Sequence, residues 1–225
     1  MDWTALALTA RLSAATAMVL LVVGLPLAYW LASTRWRGRI FIEAIVALPL
    51  VLPPTVLGFY VLLALGPKSP VGQWYEAIAG HLLPFSFEGL LIASVLYSFP
   101  FAVQPFTAAF RGINHRLLEA SWCLGASPLR TFFRITIPLS WPGLLAGMVL
   151  SFAHTLGEFG VVLMVGGNIA GVTRTVSISI YDHVQGLDYA AAGRTSLLLL
   201  VVSFVVLSLT YALQGNFRLA MPRRS

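Results

Sequence analysis

Five stretches of this chain carry no formal charge: residues 12–34, 44–67, 89–110, 135–157 and 195–217, each 22 to 24 residues long. About 20 apolar residues are needed for a helix to cross the hydrocarbon core of a bilayer. Five such runs in a chain of 225 residues leave little sequence for anything else. The composition agrees, with 58% hydrophobic and 10% charged residues against about a quarter charged in soluble domains. The expected fold is therefore all-α, a single polytopic helical bundle spanning 1–225 with no second domain. Its spans are read at about 12–34, 44–66, 89–110, 138–165 and 195–217. In the fourth, the apolar run continues past Glu158 towards Gly166. Met1-Asp2-Trp3 lacks a basic n-region, and the run after it is too long for a signal-peptide core, so no cleaved leader is read.

The net charge of +6 does not point to nucleic acid, because the basic residues sit at span ends rather than on one face. Five spans put the termini on opposite sides of the membrane. One side then holds Arg35, Arg37, Arg39, Arg111, Arg116, Arg130, Arg134, Arg218, Arg223 and Arg224. The other holds Arg11, Lys68, Arg174 and Arg194. Positive residues accumulate in the cytoplasm, so the 112–137 loop and the C-terminus are expected inside. The single Cys123 excludes an internal disulfide.

The 112–137 loop is neither span nor simple turn. Asn114 is a plausible N-cap, and Leu117, Leu118, Ser121 and Trp122 follow at helical spacing with Glu119 off that stripe. Gly125 can end this helix in a left-handed conformation. Ser127-Pro128 restarts it as N-cap and first helical residue, and Pro138 is expected to stop the second piece. The result is a helix–turn–helix elbow. Its residues Glu119-Ala120-Ser121, Gly125 and Ile135-Thr136-Ile137-Pro138 resemble the coupling loop of ABC-importer permeases, with Ser121 and Ile137 departing from that family's Ala and Leu. The resemblance implies that Glu119, Ala120, Ser121, Gly125, Ile135 and Pro138 couple the chain to a separate ATP-hydrolysing subunit.

Other stretches invite function at membrane depth. Leu48-Pro49 and Pro53-Pro54-Thr55 must kink or break the second span. A broken helix there either lines a pathway or only shapes packing. The third span is again proline-interrupted, at Pro100 and Pro105, and leads directly into the elbow. His154 and Glu158 lie four apart in the fourth span, on one helical face and able to pair, either as a gate or as a satisfied structural contact. One His and one Glu do not make a metal site. The glycine-rich Gly166–Gly171, with Asn168 and Arg174 beside it, can cradle an oxyanion or serve as a turn. Residues 175–192 are amphipathic and leave a short sixth, re-entrant span open. In 66–88 an outer loop carries Trp74 and Tyr75 at headgroup level.

No Gly-x-x-x-x-Gly-Lys-Ser/Thr, His-Glu-x-x-His or Gly-x-Ser-x-Gly motif is present, so no catalytic residue is assigned. ATP would be hydrolysed by another chain. Leu48–Gly58, Leu156-Gly157-Glu158-Phe159-Gly160 and Gly167-Asn168-Ile169 are similar to the oxyanion branch of the family, most of all to molybdate permeases, with sulfate/thiosulfate permeases next. Tungstate is not separable from molybdate on these residues. The resemblance implies a permease homodimer in the bacterial inner membrane. It would work with two ATP-binding subunits, which use ATP and Mg, and a periplasmic binding protein. The competing class is a secondary carrier or channel, for which Glu158 is the only deep carboxylate.

Overall fold

The second apolar run does not cross as one helix. In the computed structural model, which describes residues 2–220, it forms α2 (Arg39–Val51) and α3 (Pro54–Leu65), bent by 113° to each other. Leu52 and Pro53 are both extended at the bend. Pro53 and Pro54 have no N–H to continue the ladder, while a proline suits the first turn of a new helix. The remaining elements are α1 (Trp3–Ser33), α4 (Pro70–Ala79), α5 (Phe87–Arg111), α6 (His115–Cys123), α7 (Pro128–Thr131), α8 (Ile137–Gly157), α9 (Gly160–Gly166), α10 (Val176–Gln185) and α11 (Tyr189–Ala220). Among the described residues four helices are long and apolar enough to cross a membrane, and five spans result if the bent pair counts as one. Arg223 and Arg224, expected as a basic tail, lie outside the described residues.

α1, α5 and α8 pack as the central trio. Leu20, Ala28 and Leu31 of α1 meet Ala102, Val103, Phe106 and Phe110 of α5 and Leu144 of α8, with Val46 of α2 closing one side. Glycines set the spacing. A Cβ on Gly147 would fall 2.6 Å from the Phe106 ring, and one on Gly24 would sit 3.2 Å from Val103. Small residues allow this close approach, on which helix association in lipid depends. α1 begins well before the uncharged run, and Arg11 lies over the Phe87 ring at 4.4 Å. Thr9 accepts a hydrogen bond from the Val176 amide at 2.8 Å, fastening α10 to α1.

Three expectations need correction. Pro100 and Pro105 do not interrupt the third span, since α5 runs through both. Pro138 does not stop the second elbow helix. α7 runs through a π turn at Phe132–Thr136 straight into α8, giving one continuous helix over Pro128–Gly157. The Ile137 amide bonds to the Phe132 carbonyl five residues back. The wider turn stands directly before Pro138, whose missing amide would otherwise leave a gap in the ladder. The fourth span is also not uninterrupted. It breaks at Glu158, which is extended, and restarts as α9.

The two helix breaks face each other. A Cβ on Gly160 would lie 2.7 Å from Pro54 Cβ, and one on Gly58 would lie 2.7 Å from Met164 Cβ. α3 and α9 therefore pack at the closest range their backbones allow. With Leu83 and Ala93 they form a second apolar cluster around Val61, Leu65, Val161 and Val165.

Candidate functional site

The elbow is built by local signals. Asn114 Oδ1 accepts from the Arg116 amide at 3.1 Å and opens α6. At its far end Gly125 has φ +79, and the Gly125 and Ala126 amides close on the Trp122 and Ser121 carbonyls. A Cβ on Gly125 would meet no atom within 4 Å, so the glycine serves backbone conformation and not space. Ser127 Oγ accepts from the Arg130 amide, and Pro128 starts α7.

Ser121 and Thr131 hold the two arms together, hydroxyl to hydroxyl at 2.9 Å, both buried. This explains a serine where the resembled pattern has alanine. Ala120, Ser121 and Ile135 line a cleft of about 430 Å³ with Leu117, Leu124 and Arg130. Glu119 lies outside the cleft, exposed and 3.6 Å from His115 Nδ1. Pro138 is also outside it, in the first turn of α8. Trp122, Leu124, Leu129 and Phe133 leave the elbow with an apolar outer surface. Leu124 alone is 88% exposed.

At membrane depth the expected His154–Glu158 pair does not form. The four-residue register holds only inside a helix, and α8 ends at Gly157. His154 Nδ1 instead meets Ser98 Oγ at 3.0 Å, and its ring stacks on Phe101 with centroids 3.9 Å apart. Ser98 Oγ is also 2.9 Å from Thr155 Oγ1. Glu158 is 5% exposed, and neither carboxyl oxygen has a hydrogen-bond partner within 3.5 Å among the described residues. Pro53 and Thr55 are exposed at the α2–α3 break, with Pro54 packed on Gly160.

Arg174 is committed rather than free. It donates to Asn168 Oδ1 at 2.6 Å and lies 3.7 Å from Asp182 Oδ2. Asn168 Nδ2 donates to the same Asp182 oxygen at 2.6 Å. Thr173 Oγ1 bonds the Gly166 carbonyl at 2.6 Å and accepts from the Ile169 amide. The glycine-rich stretch is thus a hydrogen-bonded turn pinned to α10. Asp182 is the member of this site that the sequence reading did not assign.

A second group escaped the sequence reading. Arg111 donates to the Leu31 carbonyl at 3.2 Å and to the Glu43 carboxylate, joining α5 to α1 and α2. Both residues had served only as markers of span ends. The available signal was Gln104, an amide inside an uncharged run and seven residues from Arg111 on the same helical face.

The model for "Binding-protein-dependent transport system inner membrane component" matches residues 24–219. The chain is 51% identical over 211 residues to the molybdenum transport system permease protein ModB of Azotobacter vinelandii, covering 94% of this chain and 93% of that one. It is 37% identical over 206 residues to the protein of the same name from Haemophilus influenzae, covering 89% and 90%. Among solved structures, a bacterial ABC transporter that imports the acidic polysaccharide alginate superimposes with TM-score 0.76 at 21% identity, over 95% of this chain and 78% of that one. That likeness concerns the fold alone. With its apolar helices and a family match over nearly its whole length, the chain belongs to the binding-protein-dependent transport system inner membrane components, as a multi-pass membrane protein.

Proposed function

We propose that the chain is the permease subunit of an ATP-driven molybdate importer, working as a homodimer. Its partners would be two ATP-binding subunits, which use ATP and Mg, and a periplasmic molybdate-binding protein. The C-terminus and the elbow face the cytoplasm in this reading. The chain itself is a conduit in the inner membrane, binds no cofactor and leaves hydrolysis to its partner. The observation that carries the reading is the elbow, whose apolar outer surface is fused without interruption to α8. Molybdate as cargo rests on the similarity to the two ModB proteins across about nine-tenths of the chain.

The mechanism follows from that connection. An ATPase that closes on ATP pushes Ala120, Ser121 and Ile135 through the cleft they line. Glu119 supplies an exposed carboxylate for a basic partner group, Gly125 sets the angle between the arms, and Pro138 lies where the push enters α8. The thrust travels along α8 to the break at Glu158, where His154, Asn168, Arg174 and the Pro53-Pro54-Thr55 break surround the outer half of the bundle. The binding protein then releases its anion between two permeases, and hydrolysis resets them.

The test is ATPase activity of the complex in proteoliposomes, with binding protein added empty or loaded with molybdate, tungstate or sulfate. Stimulation by the molybdate-loaded protein with sulfate inert is the expected result. Stimulation by sulfate alone overturns the cargo and keeps the mechanism. No stimulation, with uptake that follows a proton gradient instead, would place the chain among secondary carriers.

A further inference from the structure

Gln104, Thr107, Ala108 and Arg111 fall at i, i+3, i+4 and i+7 of α5, a single stripe. The adjoining face of α5 is buried, with Phe106 and Phe110 in the core; Val103 borders the stripe, and Thr107 within it is buried with its hydroxyl on the Val103 carbonyl. Gln104 and Ala108 are exposed, and the Gln104 amide has no hydrogen-bond partner among the described residues. It lies about 10 Å inside the helix end at Arg111, at 1.5 Å per residue. An amide at that depth facing lipid would leave its donors and acceptor unmet, which hydrocarbon strongly disfavours. This stripe therefore meets water or a polar guest.

The space it faces is defined. A cleft of about 400 Å³ opens between the stripe and Glu43, Val46 and Ala47 of α2, with Leu31 of α1 at its end. Ala47 and Ala108 leave it wide. Arg111 stands at the elbow end, its side chain 44% exposed and divided between the Leu31 carbonyl and Glu43. A guanidinium fork and an amide N–H are the donors that suit a tetrahedral oxyanion. The Glu43 carboxylate already occupies the place of such an anion on Arg111, and it is anionic itself.

We infer that this cleft is the exit station for the transported oxyanion. The Gln104 amide and the Arg111 guanidinium take over the anion's oxygens, and Glu43 competes with the anion for Arg111 and so drives its release. This rests on the importer reading above. It also explains how a pathway with no cation at mid-span hands its anion inward: the one guanidinium on this stripe is held by a displaceable internal acid. Only Gly112, Ile113 and Asn114 separate Arg111 from α6, so elbow movement reaches this residue directly.

The experiment uses the whole complex in proteoliposomes. A cysteine is placed at Ala108 in a Cys123→Ser background and exposed to a membrane-impermeant, charged thiosulfonate from the elbow side. Labelling that molybdate slows, and that chloride at equal ionic strength does not, is expected. Gln104→Leu should lower molybdate uptake on the order of tenfold, the scale of one hydrogen bond to a charged group, with thermal stability unchanged because the amide makes no internal bond. Glu43→Gln should strengthen equilibrium molybdate binding to the solubilised complex while slowing uptake. A purely structural Glu43 would show no gain in binding. No labelling at Ala108→Cys in the proteoliposomes, while the same variant reacts once denatured, means that lipid or a second copy covers this face and overturns the inference. Labelling without protection, together with normal uptake by Gln104→Leu, overturns it as well. A wild-type complex that imports no oxyanion removes the importer reading itself, a result distinct from either.

Discussion

Replacing Gly125 by valine tests the elbow most directly. Gly125 has φ +79, where an L side chain costs roughly 1–2 kcal/mol, and more when β-branched. Nothing lies within 4 Å of the new Cβ, so no clash adds to that figure. Against it stand the Ser121–Thr131 hydroxyl contact and two closing amide bonds, each contributing about 1 kcal/mol net. Strain and restraint are comparable, so the turn is re-aimed or frays while the bundle holds. None of the central core residues belongs to α6. The expected phenotype is a complex of near-normal melting temperature whose ATP-driven uptake falls by tenfold or more. Asparagine tolerates the left-handed region far better than valine, so Gly125→Asn should restore most of the uptake. The assay pairs uptake in proteoliposomes with thermal unfolding of the solubilised complex. Normal uptake by Gly125→Val would refute the reasoning, and so would an Asn variant as impaired as the valine one.

Ser121→Ala should cost about 1–3 kcal/mol, because it leaves the buried Thr131 hydroxyl unmet, whereas adding Thr131→Val should recover most of that loss; thermal unfolding of the two variants decides. Gly160→Ala forces a methyl to 2.7 Å from Pro54 and should destabilise by about 1–3 kcal/mol. Gly157→Ala, with open space around its Cβ, should be neutral or slightly stabilising on the same melting assay. Glu158→Gln should not lower the melting temperature, since the buried carboxyl has no cationic partner among the described residues and an amide can still meet the Ser94 hydroxyl; a clear drop would refute this.

What could be read from the sequence was local. Asn114, Gly125 and Ser127-Pro128 announce their caps through residue type alone, and each acts within four residues of itself. The uncharged runs announce the spans for the same reason. What could not be read depends on distant partners. Arg111 and Glu43 are 68 positions apart, so no spacing rule joins them. Asn168 reaches Asp182, fourteen positions on, with Thr173 folding the intervening turn back on Gly166. Pro138 carries a stop signal that a π turn overrides, and that turn is stabilised from outside its own helix: Phe132 packs edge-on against Tyr29 of α1 at 4.8 Å. The break at Glu158 misled the helical register because Gly157 and Gly160 permit it without requiring it.

The position of the π turn decides where an elbow displacement goes. A helix yields where its hydrogen-bond ladder is irregular, and the segment from Pro128 to Gly157 has the π turn near one end, Pro142 within α8 and the break at Glu158 beyond the other. Near the elbow, Phe132 is clamped between Tyr29 and Phe110, so the irregularity is held by aromatic contacts to both α1 and α5. At the far end His154 stacks on Phe101 before the break and Phe159 meets Tyr181 after it, while Gly157 between them has open space where a side chain would stand. A thrust on the elbow is therefore resisted at the π turn and yields beyond it, at Pro142 or at the break at Glu158, the latter some 30 Å along α8 at 1.5 Å per residue. Beyond that point α9 moves with α3, because Gly160 on Pro54 and Gly58 on Met164 leave no slack between them. The unit that turns is then the α3–α9 pair against the α1–α5–α8 trio, and its pivot is the contact of two broken helices. Gly160→Ala wedges that pivot and Gly157→Ala does not, so the two substitutions should separate in transport by more than they separate in stability.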